Sequence, residues 1–335
     1  MTSVRIGVVG AGAVGSRVAR QLAGTPGVEV LLAYRPGGTA DHVAQRIGPA
    51  VRVVRSLHTE PGLDAVVLAT PVPHVKLAED FILAGTSVVS ISDDRDDVWR
   101  LWGLDDLAHQ RGVALVIGAG FSPGLSCLLA RYAAESFTSV DELHVYKHGT
   151  GGPACARQHH KALRSTAQIW RDGDWRGRAG GSGRELGWFP DPVGAHDCYN
   201  AELPDPFLLL RAFPDVARIS ARLSATRRDR LTSRLPMLRK PHIEGALGAL
   251  RVEVRGLRDG QRHAAVLGAI DRPAVAAAAV AAVAALRLAA PRIRSGAIVL
   301  GSADIDTPAF LGDLATRGIR AVRFTGQGAS LHQRS

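Results

Sequence analysis

Three glycines near the start of the chain have the type and spacing to hold a phosphate. Gly10, Gly12 and Gly15 stand as G-x-G-x-x-G between an apolar run, Val4 to Val9, and an amphipathic run, Val14 to Leu22. The first run is short and β-branched and predicts a buried strand; the second predicts a helix. In that order, backbone N–H groups and the helix dipole meet a pyrophosphate. Gly10 permits the tight turn, Gly12 leaves the backbone open to a phosphate, and Gly15 lets the helix approach the strand. Ala11, Ala13 and Val14 complete the expected phosphate-binding turn.

A second group could move a proton. Lys147, His148, His159, His160 and Lys161 fall within fifteen residues, and a histidine or lysine tuned near neutrality serves as general acid or base. Neighbouring helical residues point about 100° apart, so not all of them can face one site. His160 and Lys161 are the two expected catalytic residues. Asp197 and Tyr199 are candidates to line a cleft. Arg157, Arg164 and the pair Arg227 and Arg228 are candidates to clamp a carboxylate. Cys127, Cys155 and Cys198 are far apart and, with the histidines, give no zinc spacing, so no metal is expected. The turn Gly120 to Gly124, GFSPG, has proline where a nucleophile elbow must open directly into a helix.

The elements that must carry these residues change character along the chain. Strands are predicted at 28–33, 51–54, 65–69, 87–91 and 113–117, with helices at 72–83 and 94–110 between them. Such alternation predicts a Rossmann-type, doubly wound parallel sheet with ligands outside the carboxyl ends of its strands. Ala69, Thr70 and Pro71 lie at one such end and Gly120 and Phe121 beyond another, so all five are expected to touch the cofactor. Beyond, a strand at 142–146, a helix at 157–170, a surface loop at 173–187 and a strand at 216–223 are expected. A hairpin is predicted with strands 250–254 and 264–270 about Arg258 to Gln261. The fold class is therefore α/β, with a second α+β domain whose sheet is largely antiparallel. The expected division is 1–125, 126–295, and a segment 296–335 returning to the first domain.

Bulk properties narrow the class. The chain has 335 residues, 46% hydrophobic and 21% charged, enough for two real cores. Its net charge is +10, yet only four of the basic residues are lysines and aromatics make up 5%, so nucleic acid is not the expected partner. The alanine-rich run Pro273 to Ala290 carries Arg287 and is read as a buried or subunit-facing helix, not a membrane span. The lack of a leader and the unpaired cysteines lead to the expectation of a cytoplasmic protein. A homodimer formed through the second domain is expected.

The chain resembles the saccharopine dehydrogenase-like oxidoreductases, which include saccharopine reductase and carboxynorspermidine dehydrogenase. The resemblance is carried by VRIGVVGAGAVGSRVA, by the strand end LATP, by LAHQRGVALVIGAGFSPGLSCLLA from Leu107 to Ala130, and by the late pattern FLGDLATRGIRAVRFTG. It implies an NAD(P)H-dependent oxidoreductase reducing an imine or amino-acid-like carbonyl compound, with a small substrate that could be anionic. Glucose–fructose oxidoreductase relatives carry Glu-Lys-Pro where this chain has Ser92-Asp93-Asp94. His159-His160-Lys161 before Ser165-Thr166-Ala167 is similar to part of the dihydrodipicolinate reductase pattern. A catalytically silent NADP(H)-binding sensor is the alternative.

The second predicted strand ends Leu32-Ala33-Tyr34-Arg35 without the carboxylate that accepts from an NAD ribose. Arg35 could pair with a 2′-phosphate and Tyr34 flank the adenine. NADP is therefore the preferred cofactor, with NAD possible.

Overall fold

The computed structural model describes residues 4–33, 40–71, 73–235, 245–290, 294–324 and 329–330. In chain order the first elements are β1 (Val4–Val9), α1 (Gly15–Ala23), β2 (Val28–Ala33), α2 (Ala40–Ile47), β3 (Val51–Val54), β4 (Ala65–Leu68), α3 (Val75–Leu83), β5 (Ser87–Ser90), α4 (Arg95–Trp102), α5 (Asp105–Arg111) and β6 (Ala114–Ile117). Next come α6 (Leu125–Ala134), β7 (Ser139–His148), α7 (Pro153–Arg164), β8 (Thr166–Arg171), β9 (Asp174–Ala179), β10 (Glu185–Trp188), β11 (Ala195–Asn200), α8 (Asp205–Ala212), β12 (Arg218–Ser224), α9 (Arg227–Thr232), β13 (Gly248–Arg258) and β14 (Gln261–Asp271). The chain ends with α10 (Pro273–Leu288), β15 (Gly296–Val299), α11 (Thr307–Thr316), β16 (Ala321–Phe324) and β17 (Ala329–Ser330).

The chain divides into two compact units. One holds Met1–Gly120 and Ala274–Ile298; the other holds Phe121–Pro273 and Val299–Ser335. The expected boundaries differ from this division. The segment after 295 contributes β15 to the first sheet, but α11 and β16 belong to the second unit. The reason is pairing: β16 adds to β14, Gly268 opposite Val322. The alanine-rich α10, almost wholly in the first unit, is buried along its length, as its small side chains allow.

The first unit's sheet runs β15-β6-β5-β4-β1-β2-β3. Its pairs from β6 to β3 are parallel, with Ile6 opposite both Val30 and Ala65. The strand order reverses at β1, which places the switch point beside the glycine turn. Ile6, Val8, Leu31, Val66, Val67 and Val89 are fully buried, as an all-apolar parallel strand requires. The helix expected at 94–110 is two helices, because Gly103 and Leu104 interrupt it. Asp94 caps α4 by accepting from the N–H groups of Asp96 and Asp97.

The second unit's sheet runs β10-β11-β12-β7-β13-β14-β16-β17, with β8 paired to β12 and β9 to β8. Only the β12–β7 pair is parallel among these. The β13–β14 hairpin closes through Asp259 and Gly260, both at positive φ, the geometry that matches strand twist. Two expectations fail here. The helix at 157–170 stops at Arg164, since Ser165 is extended and Thr166 starts β8. The loop expected at 173–187 instead holds β9, in a hairpin with β8 whose Trp170 and Trp175 rings meet edge-on at 5.3 Å, and most of β10, which pairs with β11.

Candidate functional site

The glycine turn shows three different constraints. Gly10 has φ +107°, and a Cβ there would lie 2.8 Å from the Ala69 carbonyl. A Cβ on Gly15 would lie 1.9 Å from the Gly10 carbonyl. At Gly12 a Cβ would meet nothing within 4 Å. The fold itself therefore demands Gly10 and Gly15 but leaves space above Gly12. Val14 gives α1 no side-chain cap, and its first turn holds no acid. Uncapped N–H groups beside an open glycine form a cradle for an anion, and a dinucleotide pyrophosphate fits it.

On one side of β1, β2 ends at Ala33; Tyr34 and Arg35 lie outside the described residues. Glu29, the nearest carboxylate in β2, is engaged by Arg5 at 3.0 Å and Arg52 at 3.5 Å. On the other side, the Ala69 N–H donates to the Val9 carbonyl at 2.9 Å and carries the chain to half-buried Thr70 and exposed Pro71. Behind them His74 is fully buried. Its Nε2 lies 2.8 Å from the Thr70 carbonyl and its Nδ1 2.9 Å from Ser90 Oγ. Its own N–H donates to Asp97 Oδ1 at 2.8 Å. A carbonyl only accepts, so Nε2 carries the proton and Nδ1 accepts from Ser90. Burial lowers the His74 pKa, against the opposing effect of the Thr70 hydrogen bond, and the ring is neutral. Gly120, buried, donates its N–H to the Gly118 carbonyl at 2.8 Å.

The second unit gathers its own polar group. Phe121 is buried and begins this unit. Asp205, the first residue of α8, is fully buried. Ser122 Oγ donates to its carboxylate at 2.9 Å, and Ser126 Oγ at 2.5 Å. Burial raises the Asp205 pKa, opposed by those hydroxyls and by Lys147. Lys147, buried at the end of β7, donates to the Ser122 carbonyl at 3.4 Å. Cys127 next to this group is pushed up to about 12, by burial first and then by Asp205, so it is a protonated thiol.

His159 on α7 joins the group electrostatically. Burial, and then the Lys147 charge, lower its pKa to about 3, so the ring is neutral. The ring bonds the Ser224 carbonyl, while Nδ1 is buried without a hydrogen-bond partner. Nε2 is therefore the donor, and Nδ1 keeps a bare lone pair. His148 follows Lys147, places Nδ1 2.8 Å from Ser224 Oγ, and meets the His196 ring at a tilt of 31° with ring centroids 4.2 Å apart. Burial, then His196, lower its pKa to about 4.

Of the expected proton carriers, the structure thus groups Lys147, His148 and His159. His160 instead places Nε2 2.9 Å from the Leu235 carbonyl, and Lys161 is half-buried on the next turn position. Asp197 pairs with Arg184 at 2.9 Å, and the Tyr199 ring lies under Arg230 at 4.2 Å. Arg157, Arg164, Arg227 and Arg228 are exposed. Sequence reasoning missed Asp205; its only signal is a lone acid between two prolines at a helix start. Among the described residues, no group of three His, Cys, Asp or Glu could hold a metal. No described helix is long and apolar enough to cross a membrane.

Residues 5–94 match the family described as NADP oxidoreductase, coenzyme F420-dependent. No curated protein matches the chain by sequence. Among solved structures, the chain is similar to apo saccharopine dehydrogenase (L-Glu forming) from Saccharomyces cerevisiae. The TM-score is 0.71 at 16% identity, covering 96% of this chain and 100% of that one. It is also similar to C. glutamicum DAP dehydrogenase in complex with DAP, at TM-score 0.50 and 17% identity, covering 95% and 99%. A mutant meso-DAPDH from Clostridium tetani E88 with DAP gives TM-score 0.51 at 13% identity, covering 92% and 96%. At these identities the likeness is one of fold.

Proposed function

We propose that the protein is an NADP(H)-dependent oxidoreductase that reduces an imine or amino-acid-like carbonyl compound. The open space above Gly12, between two glycines that the fold cannot replace, carries this reading. Gly10, Gly12, Gly15 and the uncapped start of α1 would hold the pyrophosphate. When bound, the nicotinamide supplies a hydride. NADP is favoured because β2 ends without a carboxylate and Glu29 is occupied by two arginines. The matched family's description also names NADP. NAD remains the second cofactor, and Arg35 and Tyr34 are the proposed discriminating residues.

The amino-acid-like substrate is supported by the names of the saccharopine and DAP dehydrogenases that share the fold. Proton handling is assigned to the second unit's basic residues. Lys147, a buried donor, and His159, a neutral ring with a free lone pair, stand beside His160 and Lys161 as candidates. Assembly as a homodimer is supported by Leu186 and Trp188, exposed on the edge strand β10. The test is a turnover screen at the absorbance of the reduced nicotinamide, with amine–ketoacid pairs and preformed cyclic imines. Oxidation of NADPH by at least one pair is expected. Tight NADPH binding without turnover on any pair would leave a sensor in its place.

A further inference from the structure

We infer that His74 is a positioning residue for the nicotinamide half of the cofactor. The inference rests on the proposed function. A doubly wound sheet divides a dinucleotide across its switch point. The pyrophosphate belongs at the glycine turn after β1, and the adenosine ribose at the end of β2. The other half then lies over the carboxyl ends of β4 and β5.

His74 ties those two ends together. Its Nε2–H holds the Thr70 carbonyl just past β4, and its Nδ1 receives the hydroxyl of Ser90, the last residue of β5. Ser90 Oγ in turn accepts the Ser92 N–H at 3.2 Å. The histidine itself is anchored through its own N–H to Asp97 on α4. Ser90, Ser92 and Asp97 are all buried. Each donor and acceptor role in this chain is fixed by the carbonyl at its end. A single ring orientation and a single tautomer satisfy it. The Thr70 carbonyl is thereby turned inward, toward His74 and away from solvent, which fixes the backbone that leads into exposed Pro71. Thr70 also borders the glycine turn, its Cγ2 3.2 Å from where a Cβ on Gly10 would lie, but the hydrogen bonds of His74 run from Thr70 to Ser90 at the end of β5, so the larger effect falls on the nicotinamide half.

The test separates the two halves. Calorimetry would measure NADPH and its adenine-side fragment, 2′-phospho-ADP-ribose, on the unmodified protein and on three variants. His74→Ala is expected to weaken NADPH at least about tenfold while changing the fragment less than about twofold. His74→Gln, which can still donate to the Thr70 carbonyl, should recover most of the loss. Ser90→Ala, which removes only the hydroxyl at Nδ1, should fall between them, and serves with His74→Gln if His74→Ala does not fold. NADPH and fragment weakening in parallel, or neither changing, would overturn the positioning role. An unmodified protein that binds neither NADPH nor NADH would overturn the proposed function, and this inference with it.

Discussion

Replacing Gly12 and Gly15 separately by alanine should damage two different properties. At Gly15 the added carbon lies 1.9 Å from the Gly10 carbonyl, where ordinary contact begins at 3.4 Å. The helix and the strand end must move apart by about 1.5 Å to admit it. Overpacking of this kind costs roughly 1–3 kcal/mol, and the small helix-propensity gain at a first-turn position offsets little of it. A loss of about 2 kcal/mol would lower the melting temperature by roughly 4–8 °C in a unit of this size. At Gly12 the added carbon meets nothing within 4 Å, and the backbone is outside the left-handed region. Stability there should change by less than about 0.5 kcal/mol. The methyl would, however, occupy the space proposed for a phosphate. Losing one charge-assisted contact of about 1.5–3 kcal/mol weakens binding roughly 10–150-fold. Thermal unfolding and calorimetric titration with NADPH, run on both variants, read the two effects. Gly12→Ala binding NADPH as the unmodified protein does would refute the cradle, whatever Gly15→Ala does.

Three further outcomes follow from the same structure. NADPH should bind at least about tenfold more tightly than NADH, with most of the preference lost in Arg35→Ala; equal dissociation constants at fixed salt would remove that assignment. Asp205→Asn replaces one of the oxygens that accept the Ser122 and Ser126 hydroxyls with an N–H donor, and should cost roughly 1–3 kcal/mol in urea unfolding. His159 titrates at about 3 in the fold against an ordinary 6.5. The unfolded chain therefore binds the proton first, so stability is full above about pH 6.5 and falls toward pH 3, by up to about 1.4 kcal/mol per pH unit. His159→Gln should flatten that acid limb, and an unchanged pH profile would show that the ring is not buried as described.

The parallel sheet was legible because its strands are short runs such as Ala65 to Leu68, apolar on both faces and separated by turn residues. The second unit was harder to read. β9 and β10 run through Gly177, Gly187 and a series of arginines, so no alternation marks them; their pairing comes from a hairpin and from β11, which local sequence does not encode. Lys147, His148 and His159 could be listed from composition and position. That Lys147, not Lys161, is the buried lysine follows from strand alternation in β7, which turns 147 inward with Leu143 and Val145. Asp205 lies 58 positions beyond Lys147, and only the tertiary fold brings its carboxylate to Ser122 and Ser126. The lone pair of His159 is equally invisible in the sequence, since it depends on which ring nitrogen Ser224 engages.

The division of the first unit between Met1–Gly120 and Ala274–Ile298 has a consequence for how the protein is made. The glycine turn is synthesised before the second unit, yet β15 and α10 follow most of that unit. Until then the edge of β6 is bare, and the surface that α10 buries is open to other chains. The phosphate cradle thus precedes the second unit in synthesis but gains its finished sheet only after most of that unit is made. Exchange of this unit with another protein would need both segments, since residues 1–120 alone would transfer the turn without the strand that borders β6.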